Sequence, residues 1–372
     1  MTVSTPITLA SAGPLLFSPE LSPSGGAVLF VADVAAATVF AFELEPEGAA
    51  QEGAQRVRVE QLDAKLASLL GVQRGGAIIR GMTVHPQSHA VYLSIARGRG
   101  AEAGPALVRV GADGELGVVE LDAVPVTSFE LDDAPAVDDE RMDVWLDGTD
   151  EAAATREIYG VQLSIAQVPA RRSTITDLAW VDGALFVAGM SNEEFASRLR
   201  RVSYPFDGSV DEASVEIFHV DHGTYETQSP IRALTSFDGG AGILATYTCT
   251  PVVHFDVAEL KNGALVRGRT VAELGPMNQP FSLVSYDRDG QEFLLVSNTR
   301  HPLLKIAAAS IAGQAGLTQP ISEPGAPLGV ERETLDAHAG VTWMASLDRG
   351  AVVVVQNDDG EQRLRTLEAA VL

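Results

Sequence analysis

Cysteine is nearly absent: Cys249 is the one thiol in 372 residues, so no intramolecular disulfide can form and nothing marks an oxidising compartment. Lysine is almost as scarce, confined to Lys65, Lys261 and Lys305, and 26 basic residues face 50 acidic ones for a formal net charge of −24. A surface of that sign repels nucleic-acid phosphate and anionic lipid, so neither nucleic acid nor membrane is an expected partner. No apolar run reaches the roughly 18 to 20 residues of a membrane-spanning helix, and the opening MTVSTPITLASAG lacks a basic n-region. The expectation is a soluble protein, cytoplasmic by default, although an exported chain trimmed of its signal would read the same. The GxxxxGKS/T loop, GxSxG elbow, HExxH helix and paired CxxC are all missing, which sets aside the families they mark.

What is present is a repeated unit. Hydrophobic residues make up 46% and aromatics 6%, with 35 Gly and 19 Pro, a balance that suits many short strands and turns. The clearest unit is TITDLAWVDGALFVAGMSN at 174–192. Ile175, Leu178, Trp180 and Val181 form one strand, Asp182-Gly183 a two-residue hairpin turn, and Leu185 to Ala188 the return strand. Similar units precede it at PLLF, VLFV and TVFAFEL (14–44), with Val57 and Val59 as a fourth strand, and again from Arg80 to LGVVELD. Between the two, LDAKLASLL places Leu62, Leu66, Leu69 and Leu70 on one helical face, with Gly71 as the cap. Residues 123–172 are acidic and lose the pattern, so they read as a solvated insertion. After 174–192 the units continue through VEIFHV, then PIRALTSF to ALVRGRTV, QPFSLVSY to PLLKIA, and GVTWMASL to QRLRTLE. The last unit has three strands, and ITLA at 7–10 is the natural candidate for its fourth, hiding two sheet edges at once.

On this pattern the chain resembles six-bladed β-propellers of the NHL-repeat, SMP-30/gluconolactonase and strictosidine-synthase-like kinds. The resemblance implies an all-β fold over residues 1–372 as a single domain: six four-stranded antiparallel blades, an N-terminal strand closing the last, and an acidic insertion at about 123–172. Seven blades is the alternative, should the insertion hide another.

The resemblance also implies where a site lies. Starts of innermost strands, ends of second strands and certain loops share the top face around a central funnel. In this sequence those positions hold Arg80, Asp177, Arg232 and Gln279; Asp33, Arg97, Asn192, Cys249, Asn298 and Asn357; and His222, Glu226, Arg300, His301 and His338. Arginines at a funnel mouth are either paired with Asp33, Asp177 and Glu226 or aimed at an anionic ligand. Lactonase-like propellers hold a divalent cation on oxygen donors there, and Asp177 matches such a position while Arg80, Arg232 and Gln279 do not. A nitrogen and sulfur set is the other choice: His219, His222, His301, His338 and Cys249. His219 and His222 lie three apart, on opposite faces of a strand, and converge only if the loop turns sharply. His85, His89 and His254 read as structural. Cys249 is a small hydrophobe, or a nucleophile if Arg232 or a histidine stands beside it.

The functional expectation is a small-molecule site in the funnel that hydrolyses or isomerises a small polar or anionic compound. Asp177, Arg232 and Cys249 are the catalytic candidates, with Arg80, Arg97, Asn192, Asn298 and Glu226 binding the ligand. His219, His222, His301 and His338 are the candidates to hold one divalent ion (Cu, Zn, Fe or Ca), the cofactor otherwise being none. The competing expectation is a non-catalytic scaffold whose rim binds a protein partner.

Overall fold

A computed structural model describes residues 7–50, 56–99, 103–142, 144–147, 154–158, 161–248, 250–275, 278–320 and 328–372, the side chains of 144–166 excepted. The fold is all-β, a six-bladed β-propeller of four-stranded antiparallel blades. The chain divides into two compact units, residues 1–132 with 343–371 and residues 133–342 with Leu372, and three blades are centred in each. No helix among the described residues is long and apolar enough to cross a membrane.

In the first unit, the first blade orders Leu15–Leu21, Ala27–Asp33, Thr38–Glu43 and Val126–Glu130. The second orders Ala77–Val84, Val91–Arg97, Gly104–Val110 and Leu116–Val118. The last orders Val341–Asp348, Ala351–Asp358, Glu361–Glu368 and Arg58–Val59. The expected helix is Leu62–Leu70, and Gly71 at φ 67 donates its N–H to the Ala67 carbonyl, closing the last turn. Leu62 and Leu66 are fully buried with Val59, Val353 and Leu364 in one core cluster. Opposite the hairpin ends, Glu47 accepts both Nε (3.0 Å) and Nη2 (2.6 Å) of Arg109 and the Tyr92 hydroxyl (2.6 Å). His85, fully buried, packs edge-on to Phe17, and its Nδ1 accepts the N–H of Gln87 and Ser88, a structural role as expected.

Two strand assignments change. Residues 7–10 form no strand: the N–H of Ala10 and that of Ser11 bind the buried carboxylate of Asp33, and Leu9 joins the first blade's core. The fourth strand of the last blade is instead Arg58–Val59, paired with Arg365 and Leu364. Burial decides this, because Val57 and Val59 belong to the core that the helix and the last blade share. The first blade takes its outer strand from the acidic stretch, where Phe129 pairs with Val39 and Thr127 with Ala41. Further along that stretch, Val144–Asp147, Ala154–Ile158 and Val161–Val168 form a three-stranded antiparallel sheet.

In the second unit, the third blade orders Asp177–Val181, Ala184–Met190, Ser197–Val202 and Val210–His219. Its first hairpin is the one read from sequence, with Asp182 at φ 48 and Gly183 at φ 72, as a type I′ turn requires. Gly189 is needed for close approach, since a Cβ there would lie 1.8 Å from the Thr174 carbonyl oxygen. Arg200 on the third strand is fully buried, and its Nη2 donates to both oxygens of Asp133 at 2.7 Å. The fourth blade orders Ile231–Phe237, Gly242–Tyr247, Pro251–Asp256 and Arg269–Glu273, and the fifth Pro280–Arg288, Gln291–Asn298, Leu303–Ala307 and Glu333–Leu335. The third and fourth blades share a core built on Phe186, Val215, Ile217, Tyr247 and Phe255.

Candidate functional site

The outer strand of the third blade does not stop at the sheet edge. It reverses at residues 220–223 and pairs with Thr224–Glu226, so that Ile217 faces Glu226 and His219 faces Thr224. Gly223, at φ 66, makes the reversal and donates its N–H to the carbonyls of His219 (2.8 Å) and Val220 (3.2 Å). The tight turn undoes the strand alternation that would separate His219 from His222. Their ring centroids lie 4.0 Å apart, and each Nδ1 sits on the same Glu226 oxygen, at 3.0 Å from His219 and 2.5 Å from His222. An ionised carboxylate only accepts, so both Nδ1 atoms carry the proton. The Ser229 hydroxyl donates to the other oxygen of Glu226. Burial opposes the Glu226 charge, but these bonds outweigh it and hold the carboxyl at about 2.

A second group meets the same histidine. Ligand atoms of His219, Asp221 and Glu273 all lie within 4.8 Å of one another. Glu273 ends the outer strand of the fourth blade and is fully buried, and neither of its carboxylate oxygens has a hydrogen-bond partner of good geometry. One oxygen of Asp221 is in the same condition. Burial pushes the Glu273 carboxyl up to about 8, Asp221 adds to the rise, and His219 and Arg332 work against it. The corner is held by Thr270, whose hydroxyl donates to the Phe218 carbonyl at 2.8 Å and so ties the fourth blade's outer strand to the third's. A buried carboxylate beside a second carboxylate and an imidazole needs a proton or a cation near it. One nitrogen and two oxygen donors suit a divalent ion of the zinc, iron or manganese kind, and a carboxylate on Nδ1 is the usual outer partner of a metal-binding histidine.

Of the remaining candidates, His301 bonds the backbone of Leu274, next to Glu273, and the others fall elsewhere. Asp177 and Arg232 are electrostatic neighbours, Arg232 being the bulged residue of its strand. Both Asp177 oxygens are occupied, one by the N–H of Leu178 (2.9 Å) and one by that of Leu234 (2.8 Å). The carboxylate therefore clamps the inner strands of two blades. Burial raises Asp177 to about 7. Cys249, the third catalytic candidate, lies outside the described residues. Asn298 is buried, and its Oδ1 caps a turn by accepting the N–H of Arg300 (3.1 Å) and of His301 (2.7 Å). The Asn192 side-chain oxygen accepts from Arg141, and its N–H donates to the Asp133 carbonyl. His338 is buried in the single turn Asp336–His338. Arg80 and Arg97 belong to the first unit, Arg80 at a strand bulge and Arg97 exposed at a strand end.

Of the sequence candidates, then, His219, His222 and Glu226 converge, at the outer strands of the third and fourth blades. Asp221, Glu273 and Arg332 join them unforeseen. One signal existed: Glu273 is a lone acid in the otherwise apolar run TVAEL, where a strand facing solvent on one side would alternate.

No protein-family model and no curated protein matches the chain. Solved structures align along nearly all of it at low identity. PorZ, a surface component of the type-IX secretion system of Porphyromonas gingivalis, is 10% identical with a TM-score of 0.35 over 96% of this chain and 38% of its own. This chain thus spans well under half of PorZ. A chain of the mitotic checkpoint complex is 10% identical (TM-score 0.37, 99% of this chain and 97% of that one), and a glucose dehydrogenase 13% identical (0.37, 98% and 99%).

Proposed function

We propose that the protein binds one divalent cation at His219, Asp221 and Glu273, and uses it on a small polar or anionic compound, by hydrolysis or isomerisation. The observation that carries this reading is Glu273, a fully buried carboxylate whose oxygens have no hydrogen-bond partner of good geometry, turned to Asp221 and His219. His219, Asp221 and Glu273 would hold the ion, which would supply Lewis-acid polarisation of a substrate oxygen or activation of a water. Glu226 fixes the tautomer and tilt of His219 through Nδ1. His222, exposed beside it, is bonded to the same carboxylate. Asp221, partly exposed, marks the open side.

The test is metal content and metal-dependent stability of untagged protein. Near-stoichiometric zinc, iron or manganese is expected, lost in Glu273→Gln and in Asp221→Asn and kept in Asp289→Asn, whose side chain is 93% exposed. Added metal at about a hundred times its Kd stabilises the wild type by about 2.7 kcal/mol and neither corner variant. Wild-type protein that takes up no ion from a titration of each, or corner variants that keep it, would overturn the reading.

A further inference from the structure

We propose that Arg300, His301 and Arg332 form an anion-binding cluster beside the Glu273 corner, which takes the carboxylate or phosphate group of a small molecule. The part this gives the anion as substrate rests on the metal reading, but the cluster stands on its own residues. The Arg332 and His301 side chains are anchored by backbone groups, and Arg300 by its own main chain. Arg332 Nη2 donates to the Glu273 carbonyl at 2.9 Å, and its Nη1 lies 3.5 Å from the Val330 carbonyl. The His301 ring bonds the backbone of Leu274, the next residue along from Glu273. Arg300 and His301 are adjacent, and Asn298 Oδ1 holds both of their N–H groups in the turn. The Arg332 guanidinium and the His301 ring are thereby fixed against two consecutive backbone positions, with Arg300 next to His301 in the turn.

Carboxylates are plentiful in this chain, yet they do not pair with these two arginines. Arg56, Arg74, Arg109, Arg200, Arg267 and Arg363 each have a carboxylate within ion-pair distance. Among the described residues, no carboxylate lies within that distance of Arg300 or Arg332, and the Arg300 guanidinium makes no hydrogen bond. Arg300 and Arg332 both work against a positive charge on the His301 ring. The nearest compensation is Glu273, the residue already claimed by the metal corner. Repulsion held in place by main-chain anchors is relieved by a bound anion, and guanidinium forks match carboxylate and phosphate oxygens. An anion seated here would lie beside residues 273–274, next to the Glu273 corner.

The experiment is calorimetric titration of the full chain with inorganic phosphate and, separately, with acetate, after chelation and again after zinc loading. Saturable binding of at least one anion by the chelated protein is expected, weakening with added salt. Arg300→Ala and Arg332→Gln should each weaken it about tenfold or more, the size of one charged hydrogen bond, while Arg58→Ala leaves it unchanged. Thermal melts identify any variant that fails to fold, and Arg300→Ala, whose guanidinium makes no hydrogen bond, keeps the test valid if Arg332→Gln does. Stronger binding of phosphate than of acetate assigns the site to phosphate esters, and the reverse to carboxylic acids. No saturable binding of either anion, or binding unchanged in the folded variants, overturns the proposal. Anion binding by a protein that takes up no metal would sink the metal reading and leave this one standing; metal uptake without anion binding would do the opposite.

Discussion

Replacing Glu47 by Gln isolates what one carboxylate contributes to the packing of the first and second blades. Burial opposes its charge, yet bonds from Arg109, Tyr92 and Ser88 hold the carboxyl at about 2, against an ordinary 4.5. That displacement corresponds to about 3 kcal/mol of folded-state stabilisation as an upper bound. The Arg109 side chain is 40% exposed and that of Glu47 19%, so solvent screening brings the expected loss nearer to about 2 kcal/mol. The sign with pH follows from a carboxyl whose folded value is depressed. Its contribution is complete above the unfolded value of 4.5 and is lost as pH falls through about 2. Urea unfolding of wild type and Glu47→Gln, followed by intrinsic fluorescence across that range, should therefore show a gap that is widest near neutral pH and narrows in acid. A variant matching the wild type to within about 0.5 kcal/mol at neutral pH, or a gap that does not shrink in acid, would refute the reasoning.

Two further changes test the second unit. Asp133→Asn leaves the fully buried Arg200 guanidinium with only the more distant Glu212 carboxylate (3.7 Å) and should cost about 3 kcal/mol, read as a lower urea midpoint. Gly189→Ala drives a methyl group to 1.8 Å from the Thr174 carbonyl and should abolish soluble expression or lower Tm steeply, whereas Gly48→Ala, with nothing within 4 Å of the added carbon, should be silent.

The repeat was legible because each blade's inner hairpin is long and apolar. Asp182-Gly183 and the run Leu185 to Ala188 announce their own turn and strand. The outer strands were not. Arg58–Val59 is two residues long and carries no period, and Val126–Glu130 lies in an acidic stretch because an edge strand needs only one apolar face. The same limit governed the site. His219 and His222 were visible as residues, but their meeting depends on Gly223 reversing the chain, and Glu273 reaches them through a blade-to-blade contact that no local pattern encodes. Asp177 was placed correctly at a strand start, while its hydrogen bond to Leu234, 57 residues away, is invisible to local reading.

The pairing of Arg58–Val59 with Leu364 and Arg365 has a consequence for synthesis. More than three hundred residues separate the partners, so at about 5 to 20 residues per second the early strand leaves the ribosome about 15 to 60 s before its mate. Through that interval it is an unsatisfied edge in a crowded polysome, where neighbouring nascent chains offer copies of the same late blade. Its brevity, with Arg56, Arg58 and Glu60 alternating with the buried Val57 and Val59, makes it a weak template for such exchange. A longer apolar strand would close the last blade more firmly and would also invite nascent chains to trade segments before each is finished.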